Sequence, residues 1–172
     1  MVVHTLDTQF FVPRTRDELF PFFCDAFNLE RITPPELKFR VLRPRPIELR
    51  EGARIEYRLR LWGVPFGWRT LISLWEPPVR FVDEQTSGPF GRWVHRHEFV
   101  PTGQGTIIRD HVDYALPLSP LSGFAHPLMR RQLTRIFRYR HQILHAMFCA
   151  EPFAPVPIDF DGPAAAGNTV NP

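Results

Sequence analysis

Along the chain the spacing of hydrophobic and polar positions changes three times, and each change marks an element. Residues 5–12 alternate, with Leu6, Thr8 and Phe10 on one side, and predict a short strand that Pro13 ends. Thr15-Arg16-Asp17-Glu18 reads as a capping box, the Thr15 hydroxyl accepting from the Glu18 amide while Glu18 reaches back. The helix behind it carries Leu19, Phe20, Phe23 and Cys24 on one side, and Pro21 inside it is expected to bend or shorten it. A second helical piece over 26–32 stops at Thr33-Pro34-Pro35.

From Leu37 to Leu116 the period is two, the mark of half-buried strands. Ile55, Tyr57, Leu59 and Leu61 oppose Arg54, Glu56, Arg58 and Arg60. Trp68, Thr70, Ile72 and Leu74 oppose Arg69, before Pro77-Pro78 breaks the strand. Phe81, Asp83 and Gln85 oppose Arg80 and Glu84; past a turn at 88–91, Trp93, His95, His97 and Phe99 oppose Arg92, Arg96 and Glu98. Beyond Thr102-Gly103-Gln104-Gly105, a last strand sets Thr106, Ile108, Asp110, Val112, Tyr114 and Leu116 against Arg109, His111 and Asp113. No helix separates these strands, so the sheet is expected to be antiparallel.

A long helix over 121–148 follows, with the apolar stripe Phe124, Leu128, Leu133, Ile136, Phe137, Leu144 and Met147. Arg130, Arg131, Arg135 and Arg138 take the opposite side and read as a solvated face paired with acids; His126, His141 and His145 read as surface or interface residues. From Glu151 the chain is rich in Pro, Ala and Gly. The expectation is a single α+β domain over 1–150, a curved antiparallel sheet of about seven strands around the long helix, with two short helices after strand 1. Residues 151–172 are expected to form an extended or disordered tail.

Composition narrows the function classes. The 172 residues include 16 Phe and 4 Trp, large rings that suit a core lining a wide cavity. Net charge is only +3, with the arginines scattered and Lys38 the sole lysine, so a nucleic-acid partner is not expected. Residues 1–5 show neither a basic nor an apolar signal region, and no run approaches the ~18 apolar residues of a membrane span. Cys24 and Cys149 belong to no ligand spacing and read as free thiols, which makes a reducing cytoplasm the expected setting. Gly-rich phosphate loops, GxSxG and HExxH are absent, and no cofactor is assigned.

Several segments carry a family resemblance: Asn28-Leu29-Glu30-Arg31-Ile32-Thr33-Pro34-Pro35, Trp75-Glu76-Pro77-Pro78, Arg80-Phe81-Val82-Asp83-Glu84-Gln85, Gly88-Pro89-Phe90, Trp93 to Phe99, and Ile136-Phe137-Arg138-Tyr139-Arg140. Over residues 4–148 the chain resembles the SRPBCC superfamily of START, birch-pollen-allergen-like and polyketide-cyclase-like domains, in a bacterial stand-alone branch. The resemblance implies a helix-grip fold with a cavity for lipid, sterol, quinone or polyketide ligands. A minority of relatives catalyse cyclisation or dehydration, so it implies a cavity rather than a reaction.

With charges assigning the outer face, alternation places Tyr57, Trp68, Thr70, Asp83, Gln85, Trp93, His95, His97, Asp110 and Tyr114 on the inner one. A turn at 102–103 or 103–104 sets Asp110 opposite His95 or His97, ~5 Å apart at Cβ, and the turn at 88–91 brings Asp83 to the same strand. Two histidines flanked by two aspartates on an apolar wall admit three readings. They are a self-satisfied polar network, recognition of the polar end of a hydrophobic ligand, or acid–base catalysis by His95, His97 and Asp110 in a cyclase, dehydratase or isomerase. Metal binding by His95, His97 and Asp110 lacks a third His or a Cys, and no metal is assigned. An interaction module with a side-chain-filled cavity is a further alternative. The leading expectation is a binder of a small hydrophobic molecule, with residues 63–67 as a flexible lid.

Overall fold

In the computed structural model, which describes residues 1–44, 46–117 and 122–161 (122–124 by backbone alone), the alternating segments close into one antiparallel ladder. In chain order the elements are β1 (His4–Val12), α1 (Arg16–Cys24), α2 (Asn28–Arg31), a 3-10 turn (Pro35–Leu37), β2 (Arg40–Val41), β3 (Arg54–Leu61), β4 (Val64–Glu76), β5 (Arg80–Ser87), β6 (Arg92–Thr102), β7 (Gly105–Ala115), α3 (Ser122–Phe148) and β8 (Ile158–Phe160). The sheet order is β2-β3-β4-β5-β6-β7-β1-β8. The capping box forms: Thr15 Oγ1 accepts from the Glu18 amide at 3.3 Å, and Glu18 Oε2 accepts from the Thr15 amide at 2.8 Å.

Helix α3 packs into the concave face. Leu133 and Phe137 are buried with Leu6, Val112 and Tyr114, while Leu144 joins Phe10, Phe20, Phe99 and Ile108. The α+β helix-grip architecture is therefore present, with eight strands among the described residues rather than about seven. The additional strand comes from the tail. Its three residues pair with β1 (Leu6↔Phe160, Thr8↔Ile158), Thr8 Oγ1 donates to the Pro157 carbonyl, and the Arg130 guanidinium lies 4.6 Å above the Phe160 ring. Residues 162–172 of the tail lie outside the described residues, as does the side chain of Phe124 in the expected stripe.

Four local expectations are corrected. A register shift between Ile72 and Leu74 reverses the alternation of β4, so Trp75 rather than Leu74 joins Phe81 on the inner face, with ring centroids 5.6 Å apart. Residues 63–67 are no lid: the β3–β4 ladder runs to Leu61↔Val64, leaving Trp62 and Gly63 (φ 49° and 82°) as a two-residue hairpin turn that exposes Trp62. The helix stripe is rotated, so that Leu128 is exposed and Met129 buried. His141, read as a surface or interface residue, is 1% exposed, stacks on Phe10 at 5.3 Å and finds no partner among the described residues for either ring nitrogen.

Burial pushes the His141 imidazole down to about 4; Asp110 opposes that shift and Arg140 adds to it. The folded chain thus disfavours the proton that the unfolded chain accepts near pH 6.5, and stability falls as pH drops from 6.5 towards 4. The loss amounts to about 3 kcal/mol. His141→Leu is expected to be at least as stable as wild type at pH 7, with a shallower acid limb in urea melts between pH 7 and 4. Truncation after residue 150 removes the half-buried Ile158 and Phe160 and is expected to cost about 2 kcal/mol in the same melts.

Candidate functional site

Strands β5, β6 and β7 build the polar centre of the inner face. His95 and His97 point the same way because two residues separate them on β6. The Gly103-Gln104 hairpin pairs Thr102 with Gly105 and so sets Asp110 opposite His97, while the β5–β6 register sets Asp83 opposite His95. Each histidine hydrogen-bonds the aspartate diagonal to it: His95 Nε2 meets Asp110 Oδ1 at 3.0 Å, and His97 Nε2 meets Asp83 Oδ2 at 3.1 Å. The directly opposed contacts close the ring. His97 Nδ1 lies 2.8 Å from Asp110 Oδ1, without hydrogen-bond alignment, and His95 Nδ1 lies 3.7 Å from Asp83 Oδ2.

The four groups differ in access. The side chains of His95, His97 and Asp110 are 4%, 7% and 5% exposed, whereas Asp83 keeps 20%. Burial raises both carboxyls, but the histidines outweigh it and hold Asp83 below and Asp110 well below the usual carboxylate range. Burial, reinforced by the charge on His97, pushes His95 down to about 4. His97 is raised, because its two carboxylate partners overcome the same desolvation. The two shifts run in opposite directions, so His97 takes a proton more readily than His95, whose ring centroid is 3.7 Å away.

The cluster forms part of the wall of a two-lobed cavity. The larger lobe, about 130 Å³, lies between the sheet and α3, among Tyr57, Trp68, Trp93, His95, Leu133 and Phe137. The smaller, about 60 Å³, lies towards α1 and α2 among Phe22, Phe23, Leu29, Ile72 and Phe81. Leu29, Tyr57, Asp83, His97 and Arg140 line both.

Six of the ten residues expected at the site line this space: Tyr57, Trp68, Asp83, Trp93, His95 and His97. Four do not. Asp110 stands behind the histidines. Thr70 accepts from Trp68 Nε1 at 3.1 Å and is hydrogen-bonded to the Tyr57 hydroxyl, whose ionisation is pushed up by burial and then by Asp83. Gln85 clamps the following turn, donating to the Phe90 carbonyl at 2.8 Å and accepting from its amide. Tyr114, raised to about 12 by burial, meets His126 Nε2 at 3.0 Å away from the cavity.

The residue that sequence reasoning missed is Arg140. It lines both lobes, its Nε is buried without a partner among the described residues, its guanidinium lies 4.9 Å from the Phe137 ring centre, and its charge helps to lower Asp83. The signal existed: Leu133, Phe137, Arg140 and Leu144 follow the spacing of one helix face. On the other face Arg135 pairs with Glu36, as expected of solvated arginines.

Removing one partner from this closed set leaves a buried charge uncompensated. Asp110→Ala is expected to cost about 3–5 kcal/mol in denaturant melts. Arg69→Ala, which breaks the exposed pair with Glu56, should cost less than about 1 kcal/mol.

Comparison with known proteins agrees with this architecture. A START superfamily protein from Mycobacterium smegmatis superposes with a TM-score of 0.65 at 15% identity, covering 84% of this chain and 97% of that one. A Thermus thermophilus protein does so at 0.63 and 18%, over 83% and 98%. The major latex-like protein 151 of Panax ginseng does so at 0.59 and 12%, over 86% and 99%. At these identities the likeness is one of fold, the helix-grip fold of START-type domains. No curated protein matches the chain. A family model described as "Domain of unknown function (DUF8410)" matches residues 33–148, most of the folded chain from the 3-10 turn to the end of α3, and the protein belongs to that family.

Proposed function

We propose that the chain binds a compact, largely apolar molecule whose polar end meets Asp83, His97 and Arg140. The observation that carries this reading is the junction of the two lobes: ionisable side chains converge there in an otherwise aromatic and aliphatic wall. Pockets for drug-sized ligands run to roughly 300–1,000 Å³. A lobe of about 130 Å³ is closer to the ~150 Å³ cavity that admits benzene. Size thus favours a single-ring or small branched ligand over a long acyl chain. The same space argues against an interaction module whose cavity is filled by side chains.

Arg140 favours a ligand carrying negative or strongly acceptor character, such as a phenolate, enolate or carboxylate. Its unpaired Nε is a buried donor with a desolvation cost that such a group would relieve. Catalysis of the cyclase, dehydratase or isomerase kind is a second reading. It is favoured by one specific feature, two imidazoles side by side whose basicities are shifted in opposite directions, each hydrogen-bonded to a carboxylate. Among the described residues no helix is long and apolar enough to cross a membrane, and both cysteines are free, which supports the reducing, cytoplasmic setting proposed for the chain.

Native mass spectrometry of the purified protein, followed by a thermal-shift panel, tests the binding reading. Single-ring phenols and aromatic acids at a hundredfold excess over Kd should stabilise by about 2.7 kcal/mol, or roughly 5–10 °C in Tm. Long-chain fatty acids should do little, and Arg140→Met should lose the response to acids. A clean apo mass with no shift from any single-ring compound would refute the proposal. Hydrogen–deuterium exchange at carbon in a bound ligand, lost in His97→Gln, would establish the catalytic reading.

A further inference from the structure

The two histidines divide their ring nitrogens between the two aspartates. The outer pair, His95 Nε2 and His97 Nδ1, faces Asp110 Oδ1 at 3.0 and 2.8 Å. The inner pair, His95 Nδ1 and His97 Nε2, faces Asp83 Oδ2 at 3.7 and 3.1 Å. Four nitrogens thus face two carboxylates, but only His95 Nε2 with Asp110 and His97 Nε2 with Asp83 are hydrogen bonds; His97 Nδ1 lacks alignment and His95 Nδ1 stands off at 3.7 Å. A cation on the inner side would take the place of the proton between His97 Nε2 and Asp83 and would engage the idle His95 Nδ1. Both inner nitrogens then offer lone pairs, and both outer nitrogens carry protons on the Asp110 side, that of His95 hydrogen-bonded at 3.0 Å and that of His97 close at 2.8 Å.

We propose that Asp83, His95 and His97 form a site for one divalent first-row transition-metal ion on the cavity wall, with Asp110 as the carboxylate that orients both histidines. Ligand-capable atoms of these three residues all lie within 4.8 Å of one another. Legs of about 2.0–2.2 Å at tetrahedral angles put donors about 3.3–3.6 Å apart, and the 3.1 and 3.7 Å separations from Asp83 bracket that range. Two imidazoles and one carboxylate, with no thiolate, suit zinc or ferrous iron better than copper(I) or calcium. The Asp110 contacts supply the carboxylate–histidine–metal arrangement that fixes tautomer and ring orientation in such sites.

Charge and access agree with this assignment. Two carboxylates in an apolar wall supply the two negative charges that a dication neutralises. Asp83 is the most accessible of the four groups and, like His97, lines both lobes, so the remaining coordination positions open onto the cavity. Arg140 also faces this space, which leaves the loaded site complementary to a ligand oxygen bearing one negative charge. That oxygen ligand rests on the binding reading above, whereas the ion itself does not. A second group, His4, His126 and Asp161, also gathers ligand-capable atoms, but His126 is committed to Tyr114 and Asp161 to the Thr5 amide and to His4. It serves as the control.

The test is titration of chelator-treated full-length protein with Co²⁺ alone, followed by Zn²⁺. One equivalent of Co²⁺ should give the visible absorption of a low-coordinate N/O site, and one equivalent of Zn²⁺ should displace it and raise Tm. Asp83→Asn and His97→Ala should abolish the spectrum, Asp110→Asn should weaken affinity about 10–100-fold, and His126→Ala should leave the stoichiometry unchanged. Circular-dichroism melts report whether each variant folds, and the wild-type spectrum requires none of them. Absence of stoichiometric uptake by wild type overturns the proposal. So does a site that survives Asp83→Asn but disappears in His126→Ala. A bound organic ligand without metal uptake would sink the metal site and leave the binding reading standing; metal uptake without a ligand from the panel would do the reverse.

Discussion

Four ionisable side chains held out of water on one concave wall impose a condition that the surrounding structure must meet: each can remain there only if another compensates it. The register of β5, β6 and β7 meets that condition, with Asp83 across from His95 and Asp110 across from His97. Sheet geometry makes the arrangement unforgiving, since a slip of one residue would send every inner side chain to the outer face. The Gly103-Gln104 hairpin and the Gln85 clamp on the turn at Phe90 fix the two ends of that register. The bulge near Ser73 lies in the neighbouring β4, so β4 reverses its facing without disturbing β6.

The aromatic wall answers a different requirement, keeping space open without letting it collapse. Trp68, Phe90 and Trp93 pack edge-on or tilted, with centroids 4.8–5.6 Å apart, and each props the others at the end of the larger lobe. At the smaller lobe Phe81 stacks on His97 at 4.3 Å and meets Trp75 and Phe20 beyond it. Rigid rings with few rotamers hold a cavity better than flexible aliphatic chains would, and they keep it small.

Strict alternation made the facing of Asp83, His95, His97 and Asp110 legible in the sequence, and the two turns possible at 102–104 narrowed the partner of Asp110 to His95 or His97, between which the structure selects His97. Facing alone did not reveal depth or partners. Gln85, Thr70 and Tyr114 share the inner parity, yet their polar atoms are spent on the Phe90 backbone, on Trp68 and Tyr57, and on His126. Arg140 and His141 were obscured because the helix was phased on its charged residues, and an arginine and a histidine within the apolar stripe look like its boundary. Strand β8 left no local trace, since three residues in a Pro-rich stretch become a strand only through β1.

The two ends of the sheet carry a consequence for solubility. An unpaired strand edge offers a template on which another chain can add, and long flat edges invite aggregation. Here the ladder tapers at both sides: β2 has two residues and β8 three, while the long strands β3 to β7 and β1 are enclosed between them. The returning segment thus pairs with Leu6, Asp7 and Thr8 in the middle of β1, interrupting a nine-residue edge that would otherwise lie open. A stretch whose composition reads as an extended or disordered appendage thus works as an edge guard over the middle of β1.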